Sequence, residues 1–81
     1  MMQAALDKTL IVLKHFRQNP HRCWSSIEAF HQYMRLTITL PPWWRPAQTQ
    51  TEIEHLLEVG AIWQCPTTGH LYNQKPEGLW K

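Results

Sequence analysis

Glycine is scarce in this chain: three in 81 residues, together with only two cysteines and six acidic side chains. With no glycine cluster there is no loop of the kind that cradles a nucleotide phosphate. Two cysteines, Cys23 and Cys65, cannot make a disulfide framework, and small thiols used in packing are expected instead. No apolar run approaches the roughly 18 residues of a membrane span. The opening stretch MMQAALDKTLIVLKHF also carries Asp7, Lys8 and Lys14 where a signal peptide needs an unbroken apolar centre. A cytoplasmic protein with no membrane partner is therefore expected. Nucleophile motifs and carboxylate pairs are missing too, and a single small core leaves little room for a shielded site, so neither enzymatic activity nor a cofactor is expected.

What is present is apolar and aromatic. The hydrophobic fraction is 43%, the charged fraction 17%, and there are five tryptophans. That composition fits one small globular domain over residues 1–81 whose core must use nearly every large side chain. The net charge of +2 permits nucleic-acid binding without announcing it, since Arg17, Arg22, Arg35 and Arg45 are spread along the chain.

Leu6, Leu10, Leu13 and Phe16 recur at helical spacing, with Lys8, Lys14 and His15 off that stripe. This predicts a first helix over about 3–18, stopped by Pro20. Cys23 and Trp24 suit a very short strand. Ser25 or Ser26 opens a second helix over about 26–35; with Ser25 as N-cap, Glu28 completes a capping box. Its stripe is Ile27, Phe30 and Met34, with Tyr33 at the edge. LTITLPPWW is read as an extended loop, because Pro41 and Pro42 bar a central strand.

Pro46 suits the first turn of a third helix over about 46–59, with Thr49/Glu52 and Thr51/Glu54 as alternative capping boxes. Ile53, Leu56 and Leu57 form its buried face, and Gly60 is its left-handed stop. AIWQC and HLYNQ flank PTTG, predicting a hairpin over about 61–74 and a short tail over 75–81.

Three helices followed by a hairpin, with TEIEHLLEVGAIWQCPTTGHLY across the junction, resemble the winged helix-turn-helix family. The resemblance rests on the order of elements and a loose LLxxGxI pattern, and covers about Leu6 to Tyr72. It implies a mainly α domain whose third helix enters the major groove of double-stranded DNA while the hairpin wing touches the backbone. The residues it singles out are Arg45, Gln48, Gln50 and Thr51 at the start of the third helix, and Thr67, Thr68 and His70 at the wing tip. Glu52, Glu54 and Glu58 oppose a phosphate backbone, so only the first turn of that helix looks usable. The loop of about ten residues from Leu36 to Arg45 is longer than the family's usual turn.

That loop holds Trp43 and Trp44. Adjacent residues of an extended segment point in opposite directions, so one indole is expected in the core and the other exposed beside Arg45, as in an interface hot spot. The resemblance also implies that a strand at Cys23 pairs with the wing and brings His21, Cys23, Cys65 and His70 near one another. Their spacings match no zinc signature, however, and thiols in packing with surface histidines are preferred, so no metal is expected. The expectation is a small DNA-binding transcriptional regulator of the size found in bacteria and their mobile elements, acting as a dimer. The alternative is a protein-binding adaptor or inhibitor that docks, or self-associates, through Trp43, Trp44 and the third helix.

Overall fold

The computed structural model describes residues 8–76. In chain order the elements are α1 (Lys8–Gln18), β1 (Cys23–Trp24), α2 (Ile27–Thr37), α3 (Pro46–Glu58), β2 (Trp63–Gln64) and β3 (Leu71–Tyr72). About half of the described residues are helical. The strands form one antiparallel sheet in the order β1-β3-β2, with Cys23 opposite Tyr72 and Gln64 opposite Leu71. Three helices with a small three-stranded sheet, the last two strands forming a hairpin, are consistent with a winged-helix-like fold. Leu6, the start of the expected first helix and residues 77–81 of the expected tail lie outside the described residues.

The core is an aromatic stack on which the helices close. Phe16 and Phe30 stack at 4.6 Å between ring centroids, and Trp24 meets them edge-on at 5.0 and 4.9 Å. Val12, Met34, Trp44, Ile53, Leu56, Ile62 and Leu71 complete it. The buried face of α1 differs from the expected stripe. Leu10 is 58% exposed, while Val12, His15 and Phe16 are buried. His15 belongs inside because Nδ1–H donates to the Ile11 carbonyl at 2.8 Å and its ring packs edge-on against Phe30 and Tyr33. With that bond satisfied, the imidazole behaves as a small aromatic.

α2 starts on Ser26, whose hydroxyl accepts from the Ala29 N–H; Ser25 and the Glu28 capping box are not used. It runs to Thr37, two residues past the expected end, and its last turn closes with the Ile38 N–H on the Met34 carbonyl. Neither capping box expected for α3 forms. Pro46 holds the first helical position after Arg45, which places Thr49 and Thr51 inside the helix. The far end of α3 follows the expectation. Gly60 has φ +78°, its N–H bonds to the Leu57 carbonyl and that of Ala61 to the Leu56 carbonyl, a Schellman closure. The hairpin also follows it, since the Cys65 N–H bonds to the His70 carbonyl across a four-residue PTTG loop with Gly69 at φ +80°.

Candidate nucleic-acid interface

The loop between α2 and α3 sorts the two tryptophans. A turn closes with the Trp44 N–H on the Pro41 carbonyl at 3.0 Å, putting Pro42 and Trp43 at its two central positions. Proline is favoured at the first of these because its φ is already set. Trp43 is left 49% exposed at the tip, whereas Trp44 returns to the core at 6%. The indoles remain in contact at 5.6 Å, and the Lys8 ammonium sits 5.6 Å above the Trp43 ring. One core indole and one exposed indole is the division expected from the sequence.

Trp44 is fixed by a buried polar chain. Its Nε1–H donates to the Thr49 hydroxyl at 2.8 Å, and that hydroxyl lies 2.7 Å from His31 Nδ1. Each group is used once if the Thr49 proton goes to Nδ1, leaving the ring's own proton on Nε2. Burial, reinforced by the Arg35 charge, holds His31 below its ordinary pKa, so the ring is neutral at pH 7. The chain joins α2, the loop and α3, and thereby sets how α3 leaves the loop. The sequence carries no sign of this chain, because Thr49 fits a capping box and its contact with His31 depends on how α2 and α3 pack.

On α3, Arg45, Gln50 and Thr51 are exposed. Gln50 donates to Glu54 at 3.0 Å and Thr51 to the Ala47 carbonyl at 3.0 Å. Gln48 is half-buried, its amide donating to Glu52. Glu52 is itself buried at 9% exposure and also accepts from the Thr9 hydroxyl of α1 at 2.7 Å. This corrects the expectation that Glu52 faces outward: it ties α3 to α1, and Gln48 is engaged with it. The exposed acids of α3 are then Glu54 and Glu58, both in its C-terminal half.

At the wing, Thr67 and Thr68 are exposed and His70 is half-buried. The Thr68 hydroxyl accepts from the His70 N–H at 3.2 Å. Hydrogen bonds from Thr68, and then from Thr67, lower the pKa of the Cys65 thiol against an opposing effect of burial. Tyr72, between the outer strands, is raised chiefly by desolvation and then by Cys23. Cys23 and His21 are exposed while Cys65 is buried. Among the described residues no three of His, Cys, Asp or Glu come together where a metal ion could be held.

Among the described residues no helix is long and apolar enough to cross a membrane. No protein-family model, curated protein or solved structure matches the chain.

Proposed function

We propose that this protein binds double-stranded DNA as a small winged-helix regulator, a dimer that offers the first two turns of α3 to the major groove. The observation that carries this is the polarity of α3. Arg45, Gln50 and Thr51 are exposed at its start, Glu52 is buried, and the remaining acids sit toward the far end. DNA approaching the N-terminal half would meet an arginine, an amide able to pair with an adenine edge, and the positive end of the helix dipole. Thr67 and Thr68 at the wing tip would add backbone contacts. Dimerisation is part of the proposal because one weakly basic module binds too loosely alone.

The test is selection from a random pool of short duplexes at two salt concentrations, followed by sequencing of what is retained. Enrichment of a two-fold symmetric site, with affinity falling steeply in salt and lost in an Arg45→Ala, Gln50→Ala variant, is expected. Retention of every duplex alike by parent and variant would remove α3 from the interface.

A second reading, docking to a protein, draws on the half-exposed Trp43 beside Arg45. It predicts that Trp43→Ala keeps the fold yet loses a partner, and that any DNA binding is weak and nearly independent of salt.

A further inference from the structure

An open cavity of about 570 Å³ lies between the C-terminal half of α2, the loop and the start of α3, lined by His31, Gln32, Arg35, Thr39, Trp44 and Arg45 among others. Its polar wall carries two guanidinium groups, an imidazole, an amide and a hydroxyl, and no carboxylate lines it. Among the described residues no hydrogen bond or ion pair holds the guanidinium of Arg35 or of Arg45. Toward the described residues each guanidinium therefore keeps its fork of N–H groups free, a geometry that matches the oxygens of a phosphate or carboxylate.

Two further groups favour negative charge in the same place. His31 is only 3% exposed, yet its ring lines the cavity, and with Nδ1 committed to Thr49 the other ring nitrogen is the polar atom left for a ligand. At the start of α3 Pro46 has no N–H and the Gln48 N–H is taken by the Arg45 carbonyl at 2.9 Å, but Arg45 makes no side-chain cap, so the positive end of the helix dipole lies beside the cavity with no capping side chain on it.

We propose that this cavity is a binding site for one phosphate-class oxyanion, clamped between Arg35 and Arg45 and receiving a further hydrogen bond from the His31 ring. A phosphate group occupies only a fraction of the volume, which leaves room for the remainder of an ester. The same chemistry has two sources: a backbone phosphate of bound DNA, or a free phosphate monoester acting as an effector. The first rests on the DNA-binding reading and the second does not.

The experiment titrates inorganic phosphate into the full-length protein at constant ionic strength, followed by amide and histidine-ring NMR. Saturable shifts are expected at residues 45–49 and at the His31 ring. Arg35→Gln and Arg45→Gln should each weaken the apparent affinity about tenfold, the size of one lost charge-assisted hydrogen bond. Lys14→Gln, which removes a cation from the exposed surface of α1, should leave it unchanged. Shifts that never saturate, or that saturate equally in all three variants, overturn the site whatever the protein does with DNA.

A duplex added as competitor separates the sources. Displacement of phosphate by DNA, with Arg35→Gln weakening both, identifies a backbone phosphate. Saturable phosphate binding that a duplex does not displace identifies a free phosphate ligand, and the site then stands even if the protein binds no DNA.

Discussion

Trp44 and Trp24 show two ways of burying an indole. The Trp44 N–H is matched by Thr49, whereas the buried Trp24 Nε1 has no partner among the described residues, its ring held by contacts with Phe16, Phe30 and the Arg22 guanidinium. An unpaired buried donor costs about 1–3 kcal/mol, so the Thr49 hydroxyl stabilises mainly by preventing that loss at Trp44. Thr49→Val keeps the shape but removes an acceptor from Trp44 and a donor from His31. A loss of about 2 kcal/mol in urea unfolding is expected. In a Trp44→Phe background the same change has one fewer group to orphan and should cost about 1 kcal/mol less. Strict additivity of the two substitutions would mean that the indole and the hydroxyl are not bonded in solution.

At the scale of elements, both ends of α3 are legible in the sequence, although the capping boxes expected near its start do not form. Gly60 could be read from the sequence because only one conformation closes a Schellman motif and glycine adopts it without strain. A Cβ added there would meet nothing within 4 Å, so Gly60→Ala should cost about 1–2 kcal/mol from backbone conformation alone, with Gly60→Asn recovering part of it. Thermal unfolding of the three proteins checks the order; equal midpoints would place the stop elsewhere. The PTTG hairpin was legible for the same reason, and Pro46 correctly marked where α3 begins. The face of α1 was not. Counting apolar residues alone favoured Leu10 and passed over His15, whose burial depends on a bond to a carbonyl one turn back. Glu52 was misread on the same grounds: a carboxylate looks solvent-facing until Thr9 and Gln48 are brought against it by the packing of α1 on α3. The cavity between Arg35 and Arg45 was equally hidden, because it depends on how a loop with two prolines turns back.

For the molecule as a whole, the question is what holds a sheet whose three strands have two residues each. Strands this short cannot sustain themselves, so the sheet must borrow its stability from the helices. Leu71, Trp24 and Ile62 supply the apolar part, buried against the core. Arg17 of α1 supplies the polar part. Its guanidinium donates to the side chain and backbone carbonyl of Asn73, just past β3, and to the Ala61 carbonyl at 2.9 Å, at the junction of α3 and β2. One planar side chain thus ties α1 to both ends of the wing's attachment, which fixes the angle between the wing and α3 on which two-point contact with DNA would depend. Arg17→Ala should lower global stability by about 1–2 kcal/mol. In hydrogen exchange it should reduce protection of the amides at 63 and 72, a hydrogen-bonded pair by the register of β2 on β3, more than that of α2, because the sheet loses its tether while the helical core keeps its packing. Arg17→Lys should restore little, since an ammonium on a flexible stem lacks the fork that reaches three oxygens at once. Equal loss of protection in sheet and helices would show that the apolar contacts alone seat the wing and that Arg17 contributes only to overall stability.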